Sequence, residues 1–226
     1  MRERLNKHLA LQMGISRREA DELIDYGHVK VNGAKVTLGA RFEEGDEITI
    51  RNQPLGAAVA FEYIALNKPI GYVSSRKQQG ETPTIYSLLP EKYHALKPVG
   101  RLDKDSSGLM LLTNDGDFAY QMTHPKFYKT KKYEISLDIP LAPLHQQMIA
   151  DHGIQLEDGP SQLSLERVDD SRENWIVTMH EGRNRQIRRT FFSIGYNVVR
   201  LHRTDFGHYA LGEIKPGEFS IVEKLV

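Results

Sequence analysis

The chain of 226 residues has no cysteine, which excludes a disulfide framework, a thiolate zinc site and a cysteine nucleophile. It has no apolar run long enough to span a membrane, and its first residues lack the apolar segment of a signal peptide. The 30 basic and 30 acidic side chains cancel, so overall charge gives no support for a nucleic-acid partner. These absences predict a cytoplasmic protein in which any RNA surface arises from local segregation of charge.

Residues 100–116 combine a polar loop with an apolar run, and they read Gly-Arg-Leu-Asp-Lys-Asp-Ser-Ser-Gly-Leu-Met-Leu-Leu-Thr-Asn-Asp-Gly. The run from Leu109 to Leu112 is short and ends at turn residues, which predicts a buried strand. Asp103 precedes it on a loop that begins with a glycine. An acid beside an arginine is most often a plain ion pair, but a loop held by a rigid strand is also a common place for a catalytic group.

Residues 1–56 have the pattern of a small helical and stranded unit. A first helix is expected to end at Gly14, and Ser16 with Glu19 forms a capping box that begins a second helix. Asn32-Gly33 predicts a hairpin turn after an alternating strand. A further strand is predicted from three apolar residues, Phe42, Ile48 and Ile50.

The remainder of the chain is predicted to form a second domain, residues 61–226, after a linker of small residues at 54–60. A polar loop is expected at 74–84. The other predicted elements are strands at Phe61–Leu66, 129–137 and 175–179, and helices at 85–89, 117–123, 144–149 and from Gln186 to a stop at Gly195.

A basic segment lies near the end of this domain. Between Gly182 and Thr204 there is no acidic residue, although the protein as a whole is neutral. The segment contains six arginines, Arg183, Arg185, Arg188, Arg189, Arg200 and Arg203, and a second basic group comprises Lys126, Lys129, Lys131 and Lys132. Such segregation favours a surface that contacts phosphates.

The stretch at 100–116 closely resembles the signature of the RsuA/RluB-type pseudouridine synthases, which isomerise uridine in ribosomal RNA. The resemblance implies that Asp103 is the essential catalytic carboxylate. Lys131 to Tyr133 resembles the family's Lys-x-Tyr motif, which makes Tyr133 the active-site tyrosine. Residues 181–190 resemble its third motif, with Thr190 in place of methionine. By that match Arg188 pairs with Asp103, and Ile187 lies beside the target base.

The segments around the first two helices and the Asn32-Gly33 turn resemble the S4 RNA-binding domain. This second resemblance implies that four residues, Lys7, Arg17, Arg18 and Lys30, contact the RNA backbone. In the larger domain the expected RNA contacts are Arg101, Lys132, Arg183, Arg185 and Arg189. Contacts of this kind position a protein on RNA without reading sequence.

Together these resemblances imply an α+β fold, with a helical-hairpin domain followed by a catalytic domain on a mixed, mostly antiparallel sheet. The expected function is site-specific pseudouridine formation in ribosomal RNA, with 23S favoured over 16S. A monomer is expected to act on a flipped-out uridine, also in ribosomal assembly intermediates, without a membrane, cofactor or metal. The alternative is a non-catalytic protein of the same fold that binds ribosomal RNA or assists ribosome assembly.

Overall fold

The computed structural model describes residues 2–56, 59–76 and 80–225. Two compact units form, Met1–Glu62 with Asn114–Gly116, and Tyr63–Thr113 with Asp117–Val226. The linker predicted at 54–60 includes Ala57 and Ala58, which lie outside the described residues, as do positions 77–79 of the predicted loop. Within the described ranges, no helix is long and apolar enough to cross a membrane.

The first unit consists of a helical hairpin and short strands. Its elements are β1 (Glu3–Arg4), α1 (Leu5–Met13), α2 (Arg17–Asp25), β2 (Val29–Val31), β3 (Ala34–Lys35), β4 (Arg41–Phe42), β5 (Ile48–Ile50) and β6 (Gln53–Pro54). β1 pairs with β4, and the other strands form a sheet in the order β3-β2-β5-β6. Buried side chains from both helices and from β2 and β5 form a single core.

Local sequence signals account for the shape of this unit. α1 ends where Gly14 adopts a left-handed conformation, and Ser16 and Glu19 complete a reciprocal capping box at the start of α2. The predicted hairpin turn is present, since Asn32 and Gly33 both have positive φ between β2 and β3. The single strand predicted from Phe42 to Ile50 is wrong. β4 and β5 are separate strands because a turn containing Gly45 reverses the chain between them.

The second unit is built on a sheet flanked by helices. Its strands are β7 (Tyr63–Lys68), β8 (Lys97–Pro98), β9 (Ser107–Thr113), β10 (Lys131–Leu137), β11 (Ile154–Leu156), β12 (Gly159–Ser161), β13 (Ser164–Arg167), β14 (Asn174–Met179), β15 (Val198–Phe206), β16 (Tyr209–Ala210) and β17 (Phe219–Ile221). Its α-helices are α3 (Gly116–Thr123), α4 (Pro143–Gln147) and α5 (Gln186–Phe192). Single helical turns of other types span Ile85–Leu88, Glu91–Tyr93, Pro125–Phe127 and Met148–His152.

The main sheet has the order β13-β14-β10-β15-β9-β7-β17, with β16 paired to β15 and β8 to β9. β9 and β15 run parallel, and the other strand pairs of this sheet are antiparallel. The predicted α+β fold with a mixed, mostly antiparallel sheet is therefore confirmed.

Both faces of the sheet are covered. On β7, Ile64 and Leu66 belong to one core, whereas Tyr63 and Ala65 belong to the core that includes Phe118 of α3. A strand buried on both faces needs no polar alternation, which explains the continuous apolar runs in β7 and β9. β7 also continues through Lys68, beyond the predicted end at Leu66, because Lys68 still pairs with Gly108 on β9.

Gly108 of β9 lies against the backbone of Arg203 on β15. A Cβ atom built on it would lie 2.2 Å from the carbonyl oxygen and 2.5 Å from the backbone nitrogen of Arg203, and its φ is +105°. Both contacts involve backbone atoms, so no side-chain rotation relieves them. The parallel pairing of these two strands therefore requires glycine at this position.

We predict that Gly108→Ala lowers the free energy of unfolding of the second unit by about 3 kcal/mol or more, since it combines a backbone collision with a disfavoured φ. Fluorescence of Trp175, the chain's single tryptophan and a buried residue of this unit, reports the denaturation. Gly116→Ala is the control, because a Cβ there meets nothing within 4 Å. Equal stability of the two variants would refute the steric account.

Candidate active site

Two adjoining cavities open in the second unit around the loop that precedes β9. The larger has a volume of about 620 Å³, and the smaller has a volume of about 290 Å³. Five residues line both cavities, namely Arg101, Leu102, Asp103, Asn184 and Arg185. Asp103 therefore lies where the two cavities meet, on the loop that the sequence singled out.

A tight turn and two buried side chains hold the backbone of this loop. The Ser106 N–H donates to the Asp103 carbonyl at 3.1 Å, which closes a turn across Lys104 and Asp105. The buried Ser74 hydroxyl donates to the Leu102 carbonyl at 2.7 Å, and the Leu102 N–H donates back to the same hydroxyl at 3.2 Å. The Asp103 backbone is thus fixed on both sides of its side chain.

Lys68, at the end of β7, makes the strongest contribution to this support. Its fully buried ammonium donates to the carbonyls of Pro69 at 3.1 Å, Asp103 at 2.9 Å and Ser106 at 2.6 Å. Three donors thus meet three acceptors. Burial lowers the pKa of Lys68 to about 8, while the nearby carboxylates oppose the shift. The predicted strand ends at Leu66, and the sequence assigned no role to Lys68, because nothing in the neighbouring residues reveals the distant carbonyls that it meets.

The cation beside the Asp103 carboxylate is Arg185. A guanidinium nitrogen of Arg185 lies 3.5 Å from Asp103 Oδ2, and both side chains are partly exposed. The same guanidinium forms two hydrogen bonds of 3.0 Å with the Asp105 carboxylate. These bonds lower the pKa of Asp105 and raise that of Arg185. Arg185 precedes α5 in a left-handed conformation with φ of 46°, which allows it to reach both acids.

Arg188, which the sequence predicted to pair with Asp103, forms its ion pair with Asp105 in this structure, and its pairing with Asp103 stays a prediction. Arg188 Nε lies 3.3 Å from Asp105 Oδ2, and the same side chain donates to the carbonyls of Asp105 and Val198. Arg188 lies on the first turn of α5 and is engaged by the strand it packs against, so its guanidinium stops at Asp105. The sequence motif could not distinguish the two arginines, because each is within reach of the same loop.

Tyr133 and Ile187, which the sequence predicted to be the active-site tyrosine and the residue beside the base, both line the smaller cavity with Asp103. Tyr133 is buried on β10, where it pairs with Val177 on β14 and Arg203 on β15. Ile187 is buried on α5, whose side chains belong to the same core as Tyr133. Tyr133 and Ile187 therefore contribute apolar surface to a cavity that Asp103 also lines.

Several predicted RNA contacts are placed differently. The Arg183 guanidinium donates to Asp158 at 2.8 Å, to the Gly159 and Pro160 carbonyls and to Glu181, and it is mostly buried. Arg189 forms two hydrogen bonds of 3.1 and 2.7 Å with Asp158, which lower the pKa of that acid. Both side chains therefore bond to the protein itself, and their contact with RNA phosphates stays a prediction.

Two further residues predicted to contact RNA, Arg101 and Lys132, lie in different places in the second unit. Arg101 is exposed and lines both cavities, which keeps it next to Asp103. Lys132 is exposed on β10 between the buried Lys131 and Tyr133, and it lines neither cavity. Alternation along the strand directs its side chain away from Tyr133.

The first unit carries the remaining predicted contacts. Arg17 and Arg18 are exposed on the first turn of α2, and Arg17 Nη2 lies 3.4 Å from Asn6 Oδ1 on α1. Lys30 is on β2, where its ammonium donates to Asn52 at 2.8 Å. Lys7 is a half-buried residue of α1. Within the described residues of the whole chain, no group of three or more His, Asp or Glu side chains could hold a metal ion.

Comparison with known proteins identifies both units. Residues 62–193 match the family profile described as RNA pseudouridylate synthase, and residues 3–48 match that of the S4 domain. The chain is 37% identical over 229 residues to ribosomal large subunit pseudouridine synthase B of Bacillus subtilis, covering 96% of this chain and 90% of that protein. It is also 37% identical over 225 residues to ribosomal small subunit pseudouridine synthase A of Pasteurella multocida, covering 96% and 94%.

A solved structure supports the same assignment. A crystal structure of pseudouridylate synthase superposes with a TM-score of 0.70 at 34% sequence identity, and the match covers 97% of this chain and 96% of that one. At this identity the resemblance extends beyond the fold to the family. The chain therefore belongs to the RNA pseudouridylate synthase family, as an enzyme in which an S4 domain precedes the synthase region.

Proposed function

We propose that this enzyme converts a uridine of ribosomal RNA to pseudouridine, with Asp103 as the catalytic carboxylate. The observation that carries the proposal is the position of Asp103 at the junction of the two cavities, opposite Tyr133 and Ile187 and 3.5 Å from the Arg185 guanidinium. The named ribosomal synthases among its relatives support the choice of RNA. The reaction would take place in the cytoplasm, where ribosomal RNA is found.

The neighbouring acid, Asp105, fits the catalytic role less well. Its carboxylate accepts two hydrogen bonds from Arg185 and faces Arg188 at 3.3 Å, so both of its oxygens are engaged within the protein. It lines the larger cavity but not the smaller one, where Tyr133 and Ile187 lie. Asp103, by contrast, forms one ion pair among the described residues, at 3.5 Å from Arg185, and keeps oxygens available for a substrate.

Isomerisation requires the uracil to leave the ribose through nitrogen and rejoin it through carbon. A carboxylate can attack the anomeric carbon, so that an acyl–sugar bond forms as the glycosidic bond breaks. Alternatively it removes the neighbouring ribose proton as a general base. In the first route the turned uracil bonds through carbon-5 to the ribose as the acyl–sugar bond breaks, which frees the carboxylate. In the second route the proton returns to the ribose as that carbon–carbon bond forms. In both routes carbon-5 then loses its proton to solvent, and the nitrogen that left the ribose takes a proton up. No electrons enter or leave, so the reaction itself calls for no redox cofactor.

In this proposal the target base binds in the smaller cavity. Extracting a base from its stack costs a few kcal/mol, and least for a nucleotide that is already unpaired. The apolar side chains of Tyr133 and Ile187, which line this cavity, would receive the uracil, and the tyrosine ring would stack on it. Arg185 would keep the Asp103 carboxylate oriented through the reaction, and Arg101 at the rim would contact a phosphate.

The two units divide the work in this proposal. The region 1–56 would anchor the RNA backbone through Lys7, Arg17, Arg18 and Lys30, and residues 61–226 would carry out the chemistry as a monomer. We favour 23S over 16S RNA as the substrate, including RNA in assembly intermediates, because of the Arg-Asn-Arg-Gln-Ile-Arg-Arg and Leu-Glu-Asp-Gly-Pro segments. Because relatives are named for both ribosomal subunits, an experiment has to decide between the two RNAs.

The direct test is tritium release from carbon-5-tritiated 23S and 16S transcripts, followed by mapping of the modified position. Release from 23S alone supports the full proposal, and release from 16S alone corrects the substrate. Binding without release from either transcript, or from ribosomal assembly intermediates, would favour the non-catalytic alternative.

We predict that Asp103→Asn retains less than about one part in a thousand of the single-turnover rate while RNA affinity stays nearly unchanged. The amide keeps the size of the side chain but provides neither a nucleophile nor a base. Asp170→Asn, which alters an exposed acid that lines neither cavity, serves as the control and should keep full activity. Substantial turnover by Asp103→Asn would refute the assignment.

Arg185→Ala is predicted to reduce the single-turnover rate at saturating RNA by at least about tenfold, because it removes the cation beside Asp103. Arg188→Ala should cost less, since its contacts are with Asp105 and Val198. Arg185→Lys, which keeps the charge, should recover part of the rate. A larger loss in Arg188→Ala than in Arg185→Ala would show that the sequence-based pairing applies once RNA is bound.

Removal of residues 1–56 is predicted to weaken RNA binding and to flatten its salt dependence. The log–log slope should fall by about 0.7–0.9 for each phosphate that these residues neutralise. The single-turnover rate at saturating RNA should stay within about tenfold, because Asp103, Tyr133 and Arg185 remain. Affinity at several salt concentrations and tritium release measure the two effects. An unchanged slope would show that this region does not bind phosphates.

A further inference from the structure

An exposed group of aromatic rings lies at the end of α3, and none of these residues belongs to the proposed catalytic site. The aromatic cluster consists of Tyr120, His124 and Phe127. The Tyr120 ring centroid lies 4.8 Å from that of His124 and 5.7 Å from that of Phe127. The Lys126 ammonium lies 5.2 Å from the centre of the Tyr120 ring and 4.8 Å from that of Phe127. One cation therefore contacts two rings that also contact each other.

The cluster faces solvent. Tyr120 is 46% exposed and Phe127 36%, and the adjacent Tyr128 is 76% exposed. Side chains of this size normally bury more of their surface, and several grouped together commonly mark a binding surface. Tyr128 has a left-handed backbone with φ of 47°, a conformation that disfavours a bulky residue. The single helical turn at Pro125–Phe127 and this αL residue together hold the rings outward.

The helix that carries the cluster ends close to the active-site loop. Thr123, on the last turn of α3, lies 3.5 Å from the position of a Cβ built on Gly100. Gly100 lines the smaller cavity together with Asp103 and Tyr133. α3 is anchored on the sheet by Phe118 and Met122, which are buried in one core with Phe206. The aromatic cluster therefore lies at the end of a helix whose last turn is next to Gly100.

The charge around the cluster matches a polyanion. Lys126 lies on the rings, Lys129 follows them, and exposed Lys132 continues the basic stretch onto β10. Proteins bind single-stranded RNA through half-exposed rings interleaved with cations such as lysine, because bases stack on the rings while phosphates pair with the cations. A protein partner would need a wider, continuous apolar surface, and here the lysines interrupt the apolar surface of the rings.

We propose that the aromatic cluster of Tyr120, His124 and Phe127 is a stacking platform for an unpaired nucleotide next to the target uridine. The inference rests on the proposed RNA substrate and extends it to a second subsite. Lys126 holds the rings in place and pairs with the phosphate between the two nucleotides. The platform favours target sites whose flanking nucleotide is free to leave its own stack, so it contributes to site selection.

The test compares two probes, a fluorescein-labelled dodecamer of uridine and an abasic ribose-phosphate chain of the same length. Both carry the same backbone charge, and only the first has bases to stack. Tyr120→Leu and Phe127→Leu keep apolar volume but remove the ring. Each should weaken oligouridine binding by about tenfold, near the lower end of what one stacked base contributes. Binding of the abasic chain should stay within about twofold.

Phe61→Leu is the matched control, because Phe61 is equally exposed at 46% but lies outside the cluster, and it should bind both probes like the parent enzyme. Lys126→Gln should weaken both probes. Circular dichroism of each variant verifies the fold. The proposal is overturned if the ring variants bind oligouridine normally, or if they lose equal affinity for both probes.

Failure of the proposed reaction is detected separately. The oligouridine comparison measures affinity and needs no isomerisation, so it remains valid if tritium release fails with every transcript. If release occurs, the ring variants should keep the single-turnover rate at saturating RNA within about threefold, as expected for a binding subsite. A large loss of that rate would place the cluster in the chemistry and overturn its role as a flanking platform.

Discussion

Three hydrogen bonds from one buried ammonium hold the loop on which the proposed reaction depends. Lys68 donates to the carbonyls of Pro69, Asp103 and Ser106, so a single side chain ties the end of β7 to the turn that carries the acid. Burying an ammonium is costly unless every donor finds a partner. Here two of the three partners are backbone carbonyls of the loop, so movement of the loop out of this conformation leaves a buried ammonium without two of its acceptors.

The same row of the sheet contains a second buried cation. Lys68 pairs across the strands with Gly108, and Gly108 pairs with Arg203 on β15. Arg203 donates to the Leu109 carbonyl at 2.7 Å and lies over the Phe206 ring at 4.8 Å. Its charge lowers the pKa of Lys68, whereas Asp103 and Asp105 raise it. Asp103 and Asp105 thus lie near the buried ammonium of Lys68 and near the arginines at the start of α5.

Several arginines of the basic segment near the end of the chain bond to acids of the protein itself, which the composition of the segment does not suggest. Asp158 accepts hydrogen bonds from Arg183 and Arg189, and Asp105 accepts them from Arg185. Both acids lie far from the segment in sequence, so a count of charges along the chain could not reveal them. Local excess of one charge therefore indicated where the site is, but it overstated how many arginines are available to RNA.

Local patterns in the sequence determined the elements and the location of the site. The capping box at Ser16, the turn at Asn32-Gly33 and the apolar run of β9 are short-range signals, because each depends on neighbouring residues. The motif resemblances likewise singled out Asp103, Tyr133 and Ile187, which line one cavity in the structure.

Tertiary structure decided which partners these residues meet. Arg185 rather than Arg188 reaches Asp103, because the left-handed backbone before α5 directs one arginine to the loop acids while Val198 engages the other. Lys68 becomes a support for the loop only when β7 pairs with β9, and Gly108 becomes indispensable only where β15 crosses close to it. These contacts join residues distant in the chain, so their geometry is fixed by packing and not by local sequence.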